Sequence, residues 1–285
     1  MILGNLFGVS GNEAPVINHI KSMVGGETDK VGNLIVRKPG KGKKLAVVCP
    51  VDEDGLFVTD ISGKIRFALI GKPDNLVNRT VEFENGVKGV ICGDKADAKA
   101  SELYIVADGE VSVGDIARFS LCEITNSDTV TGFSAERELC AKALLSVMDK
   151  IKDTELDVTY VFSVMYRIGK RGLNGFLFSE KPDYTIVIDT VCGDNVKCGD
   201  GAVVKVTEGS YTADERLHVL AREKKLKMTV SKDAELRTVN SAILGAPAGY
   251  VSIPVEKNCG LVTGCISDVQ KCAELVCEVV QYREK

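Results

Sequence analysis

Tyr184-Thr-Ile-Val-Ile-Asp189 is a near-continuous apolar run of strand length that ends in a carboxylate. A strand that is apolar at consecutive positions needs cover on both faces, the condition of a parallel strand packed between layers of helices. The run therefore predicts an α/β fold with Asp189 at the carboxyl tip of a buried strand, where such folds place their ligands. A second run, from Val158 through Tyr166, is β-branched and aromatic, and Gly169 and Gly172 then punctuate a strand-to-helix turn.

Helices are expected on both sides of these strands. Val16, Ile17, Ile20, Met23 and Val24 share one face of a helix over 13–24, after the turn Gly8-Val-Ser-Gly11. Leu139, Ala143, Leu144, Val147, Met148 and Ile151 mark another, with Ser134 as its N-cap. Thr212 to Lys225 reads as a charged amphipathic helix, and Asp268 to Arg283 as a closing one. Near the N-terminus, a strand reaching Val36 and a strand from Lys44 to Cys49 flank the turn Lys38-Pro-Gly-Lys-Gly42, which reads as a hairpin.

Between Phe67 and Asn126 the pattern changes to short β-type runs, at 80–83, 86–92, 102–106 and 117–123, separated by Gly, Asn and Asp turns. Such spacing suits a small barrel. The expected organisation is an α/β domain made of residues 1–66 and 127–285, with residues 67–126 as an inserted all-β domain.

Composition narrows the function classes. A chain of 285 residues with 45% hydrophobic content can bury a full core. Its formal charge is −4 with Lys and Arg scattered, which gives no footprint for nucleic acid. The apolar start Met-Ile-Leu-Gly-Asn-Leu-Phe-Gly is short and lacks a basic region, and no apolar run reaches membrane-span length, so a cytoplasmic protein without membrane partners is expected. Ten cysteines in that setting read as reduced, mostly buried thiols. No Cys-x-x-Cys occurs, and the spacings of Cys192/Cys198 and Cys272/Cys277 suit neither a zinc ribbon nor a redox dithiol. The two histidines, His19 and His218, fall on helical stretches and read as partly exposed residues rather than ligands.

Several motifs resemble those of the tetrahedral metallo-aminopeptidases, which include the glutamyl and deblocking aminopeptidases. Their Val-Phe-Thr-Val-Gln-Glu-Glu-Val-Gly-x-Arg-Gly matches this chain at Val161, Phe162, Val164, Gly169, Arg171 and Gly172. The general-base Glu then falls at Tyr166 and a ligand Glu at Arg167. Their Ala-His-Met-Asp-Glu-x-Gly-Phe resembles Cys49-Pro-Val-Asp-Glu-Asp-Gly55, with Pro50 at the first metal-binding His, Asp52 at the Asp that orients it, and Glu53 following. Their Asp-x-Arg at a helix start, whose Asp bridges both metals, resembles Ala135-Glu-Arg137. Asp189 matches a retained ligand. Gly249-Tyr-Val-Ser-Ile-Pro254 resembles the strand before the final metal-binding His, a position that falls at Cys259. The family's Gly-Gly-Thr-Asp turn is missing from Asp233 to Ser241.

What the resemblance implies is a mixed-sheet, zinc-peptidase-like α/β/α domain carrying a barrel-like β insertion, which in the family makes the dimer contact. The expected protein is a homo-oligomer, from dimer up to dodecamer. A dinuclear peptidase centre needs several carboxylates and imidazoles to polarise a carbonyl and acidify a bridging water. With Ala135, Arg167, Tyr166, Pro50 and Cys259 at those positions, the expectation is a pseudo-enzyme with a vestigial site, no catalytic residue and no metal, kept as a scaffold or for binding a peptide or small molecule. The alternative is an active metallo-aminopeptidase whose rebuilt site takes zinc or cobalt. Arg167 is expected to pair with Asp189, Asp52 or Glu53, because a planar fork of donors suits a carboxylate.

Overall fold

The computed structural model describes residues 3–95, 99–120, 123–193, 195–205, 215–229, 248–258 and 260–283. In chain order its first elements are α1 (Ala14–Val24), β1 (Glu27–Thr28), β2 (Leu34–Lys38), β3 (Lys44–Pro50), β4 (Gly55–Asp60) and β5 (Arg66–Ile70). Next come β6 (Thr80–Phe83), β7 (Lys88–Cys92), β8 (Tyr104–Ala107), β9 (Ile116–Phe119), β10 (Ile124–Thr125) and β11 (Thr129–Gly132). The second half holds α2 (Ala135–Lys150), β12 (Asp157–Ser163), α3 (Arg171–Glu180), β13 (Tyr184–Val191), β14 (Val203–Lys205) and α4 (Glu215–Glu223). It closes with β15 (Lys227–Thr229), β16 (Ala248–Asn258), β17 (Leu261–Cys265) and α5 (Ile266–Arg283).

The large sheet runs β1-β2-β12-β3-β13-β16-β17-β11-β10, with β14 and β15 attached beside the first half of β16. Its centre, β12, β3, β13 and β16, is parallel. Side chains alternate across that centre, as a two-residue period requires. Leu45, Val47 and Cys49 join the layer that holds residues of α1, α2 and α5, whereas Ala46 and Val48 face Leu173, Phe176 and Leu177 of α3. Both faces being buried accounts for the unbroken apolar run of β13, and the α/β/α class expected from sequence is what forms.

The hairpin expected around residues 38–42 does not form. β12 lies between β2 and β3, antiparallel to the first and parallel to the second. The Gly-rich stretch is a bridge over the start of β12: Gly42 N–H donates to Glu155 O at 2.6 Å. A Cβ on Gly40 would fall 2.1 Å from Leu156 O, so only glycine permits the crossing. The turn signal was real, but the register of a third strand decided the pairing.

A second sheet runs β5-β4-β9-β6-β7-β8, antiparallel throughout. A bridge between Ile65 and Ile105 brings its two ends together, so the sheet curls around Leu56, Val81, Phe83, Ile91 and Ala117. It takes in β4 and therefore starts at Gly55 rather than near Phe67. Ser134 does precede α2, but its side chain makes no capping hydrogen bond. Within the expected helix over 212–225, residues 215–223 are helical and Thr212 to Asp214 lie outside the described residues. Asp233 to Ser241 lie outside them too. No described helix is long and apolar enough to cross a membrane.

Candidate functional site

The parallel strands β3, β12 and β13 end at one edge, where β16 runs on beyond Pro254 to pair with β17, and the start of α2 and the turn before α3 meet them there. Between these ends lies a cleft of about 420 Å³ lined by Pro50, Asp52, Tyr166, Arg167 and Asp189 together with Glu136 and four lysines. A ligand site beyond the carboxyl ends of parallel strands is what this topology favours.

The turn from β12 into α3 is held by buried polar groups. Val164 N–H donates to Asn33 Oδ1 at 3.1 Å, and Asn33 Nδ2 donates in turn to Gly172 O at 2.9 Å. Met165, at a φ of 52°, donates its N–H to Glu13 Oε1 at 2.6 Å. Arg167 N–H donates to Asp52 Oδ2 at 2.7 Å. Gly172 must be glycine, because a Cβ there would sit 2.2 Å from Val164 O. These contacts fix Tyr166 and Arg167 at the mouth of the sheet.

Arg167 does turn into the cleft, but its guanidinium takes partners other than those expected. Its terminal nitrogen donates to Glu136 Oε2, and its Nε lies 3.8 Å from Asp54 Oδ1. Glu136 also accepts from Lys257 Nζ at 3.1 Å and from Thr190 Oγ1 at 2.9 Å. Burial alone would raise the Glu136 carboxyl, yet Arg167 and Lys257 outweigh it and hold the group well below the usual carboxylate range. For Asp52 the balance is reversed: burial raises its carboxyl despite the charge and N–H of Arg167.

Asp189, expected as the partner of Arg167, is taken by Lys205, whose Nζ lies 2.5 Å from its Oδ2. Ser252 Oγ donates to the other oxygen from the position directly across on β16. Lys205 Nζ also donates to Thr190 O at 3.3 Å. Lysines cluster around Tyr250: Lys205 Nζ is 5.7 Å from its ring centroid and Lys170 Nζ is 5.5 Å away, with Lys170 also 5.0 Å from the Tyr166 ring.

Two of the residues singled out by sequence lie outside the cleft wall. Ala135 is fully buried in the first turn of α2. Glu53 turns toward Arg137, whose guanidinium lies 3.1 Å from its Oε1 and also donates to Leu3 O and Leu6 O. Burial raises the Glu53 carboxyl although Arg137 opposes the shift. The Glu53–Arg137 pair therefore ties the N-terminal segment to α2. Cys259 lies outside the described residues. Among the described residues, no three His, Cys, Asp or Glu side chains come together in a group fit for a metal ion.

Sequence reading assigned no role to Glu136, Lys205, Lys257, Lys170 or Asp54. Glu136 stood inside the quoted motif beside Ala135. Lys205 carried one weak signal, a lysine ending the β-branched run Val203-Val204. Asp54 is seated by Gly71, where a Cβ would fall 1.9 Å from its Oδ1.

The architecture around this cleft is found in known proteins. A putative aminopeptidase of Acetivibrio thermocellus is 29% identical over 96% of this chain and 95% of its own length. An aminopeptidase from the archaeon Desulfurococcus kamchatkensis superposes with a TM-score of 0.84 at 21% identity, over 98% of this chain and 92% of its own. A Pyrococcus horikoshii TET1 peptidase, described as assembling into a tetrahedron or a large octahedral shell, superposes with a TM-score of 0.79 at 23% identity, over 98% and 97%. The family profile described as M42 glutamyl aminopeptidase matches residues 32–275, from the turn before β2 into α5 and through every strand that borders the cleft, and the chain belongs to that family.

Proposed function

We propose that this M42 member does not hydrolyse peptides and serves as an oligomeric scaffold or a small-ligand-binding protein. The observation that carries the reading is that the chain's own cations sit on the cleft carboxylates. Lys205 Nζ is 2.5 Å from Asp189, and Arg167 and Lys257 share Glu136. A divalent ion would compete with these ammonium and guanidinium groups for the same oxygens and would meet their repulsion. The donor set does not suit the family's dinuclear centre either. Pro50, Ala135 and Arg167 offer no ligand atom where His, Asp and Glu are needed, and Tyr166 is a poor general base at neutral pH.

The test is elemental analysis of chelator-free protein beside an aminopeptidase assay on chromogenic amino-acid amides, with and without added zinc or cobalt. The expected result is metal far below one equivalent per chain and no turnover. Stoichiometric metal with turnover would establish the other reading, an active enzyme with a rebuilt site.

Assembly belongs to the same proposal. The curled sheet exposes Val90 and Val106, opposite one another on β7 and β8, at 37% and 56%. An apolar cross-strand pair on an outer face suits a contact between copies. Light scattering should give at least a dimer, and a 30.6 kDa species alone would reject it. Unpaired thiols fit a reducing, cytoplasmic setting.

A further inference from the structure

Cys198 and Cys265 stand far apart in the sequence, yet the fold brings their thiols into hydrogen-bonding contact. Cys265 is the last residue of β17, and Cys198 lies in the turn that leads toward β14. Cys198 Sγ reaches the backbone of the strand pair that finishes at Cys265, 3.3 Å from Thr263 O and 3.9 Å from Pro254 O. The antiparallel pairing of β16 with β17, with Val255 opposite Gly264, brings Pro254 alongside Cys265 and so places the Cys198 sulfur beside that residue.

The turn is held there independently of the sulfurs. Gly199 and Gly201 donate their N–H groups to the two oxygens of Asp268, at 2.7 and 2.9 Å, in the first turn of α5 shortly after Cys265. Lys197 N–H donates to Asp200 Oδ2 at 2.7 Å and closes the turn on itself. Both thiols are partly exposed, so a small solute can reach them. Cys49, Cys140 and Cys272 also lie near one another, but those three are sealed in the core.

We infer that Cys198 and Cys265 form a reversible dithiol modification site, oxidised to a disulfide by a low-molecular-weight disulfide of the glutathione class. In a reducing setting the pair rests as two thiols. Burial, and then the hydrogen bond and charge of Cys265, push the Cys198 thiol up to about 12, so Cys198 keeps its proton and the first attack falls to Cys265. The Cys265 thiolate attacks one sulfur of the small disulfide, a mixed disulfide forms, and one small thiolate leaves. That step removes the charge that suppressed Cys198. Cys198 then gives its proton to solvent and attacks Cys265 Sγ, which forms the bond between the two cysteines and releases the second small thiolate. Two cysteine thiols lose two electrons in all, and one small disulfide becomes two thiols. Side-chain rotation in the partly exposed turn takes the sulfurs from contact to a bonding distance of about 2 Å. The new bond ties the turn to the end of β17 and so braces β14, whose Lys205 holds Asp189.

The test equilibrates the reduced, folded full chain with oxidised and reduced glutathione at a series of ratios. Acid quenching, alkylation and peptide mapping without reduction then locate every bond. The expected product is a peptide pair joined through Cys198 and Cys265, formed in most of the protein at oxidising ratios and fully reversed by dithiothreitol. The joined form should melt several degrees above the reduced one, since the bond closes a long loop. Cys198→Ser should stop at a persistent glutathione adduct on Cys265, because the second thiol is gone. Cys265→Ser should react at Cys198 at least tenfold more slowly than the parent reacts at Cys265. Cys192→Ser, which alters the exposed thiol outside the pair, should form the joined peptide as the parent does. Glutathione adducts on both residues without the joined peptide, or both thiols still open to alkylation across the whole series, would overturn the proposal. A joined form that melts below the reduced one would overturn it too, since the sulfurs would then bond only by prising the turn from β17.

Discussion

Lys205 Nζ and Asp189 Oδ2 lie 2.5 Å apart, with both side chains less than a tenth exposed. An ion pair so placed contributes little over a matched apolar pair, but breaking it leaves a buried charge without its counter-ion. Lys205→Met should therefore destabilise the fold by about 3–5 kcal/mol. The double variant Lys205→Met/Asp189→Asn should recover most of that loss, because Ser252 Oγ can still donate to an amide oxygen. Urea unfolding of the four proteins in a double-mutant cycle measures the coupling. A single-variant loss below about 1 kcal/mol would mean that Asp189 does not depend on Lys205.

The Glu136 carboxyl carries a pH signature of the opposite kind to an isolated buried acid. Its folded-state value is depressed, since Arg167 and Lys257 overcome the cost of burial. The stability it contributes is thus fully present above the unfolded carboxylate value of about 4.3, and is lost as pH falls through the lower folded value. Glu136→Gln should cost about 2–4 kcal/mol at pH 7 by leaving Arg167 and Lys257 facing one another. The gap to the parent should narrow below about pH 4. Denaturation curves at pH 7 and pH 3 with the same offset would contradict this account.

Much of the fold was legible because burial on two faces writes itself into composition. The apolar run of β13 announced a parallel strand, and the short alternating runs from Thr80 onward announced the curled sheet. Pairing was less legible: β2 and β3 carry a hairpin turn between them, yet the apolar β12, more than a hundred residues later, takes the space between. The site divides in the same way. Pro50, Asp52, Tyr166, Arg167 and Asp189 line one cleft, because each sits at or just beyond a strand end that the fold fixes. The pairing of charges did not follow, since which lysine reaches Asp189 depends on β14, a three-residue strand whose pairing partners are remote in sequence.

The thiols offer a kinetic test of burial. Cys49, Cys140 and Cys272 are fully buried, and burial pushes each thiol well above its ordinary value, with the charges of Asp189 and Asp268 adding to the shift at Cys272. Cys192 is exposed. Since the thiolate is the reactive form, a disulfide reagent added to native protein should consume Cys192 first among the described cysteines and leave those three until unfolding. In denaturant without reductant all ten cysteines of the chain should titrate. Fast modification of Cys49 in the native state, located by peptide mapping, would show that the strand tips open.

Glu123 should make the protein less stable as pH rises toward neutrality. Its carboxyl lies under the N-terminal segment, close enough that a Cβ on Gly4 would touch its side chain at 2.5 Å. Glu138 is nearby, engaged by Leu3 N–H at 2.6 Å and Lys142 Nζ at 3.0 Å. Burial first, and the charge of Glu138 second, push the Glu123 carboxyl up to about 7, with Lys142 and Arg137 opposing. A raised acid is content when protonated, so no stability is lost below the unfolded value of about 4.3. Loss then accumulates between there and the folded value near 7. Because the side chain keeps some solvent contact, the loss is about 1–3 kcal/mol rather than the full linkage value. Glu123→Gln removes the titration, so the variant should match the parent at pH 4 and exceed it by that margin at pH 8. Urea midpoints at the two pH values decide it, and parallel parent and variant profiles would place the Glu123 charge in water.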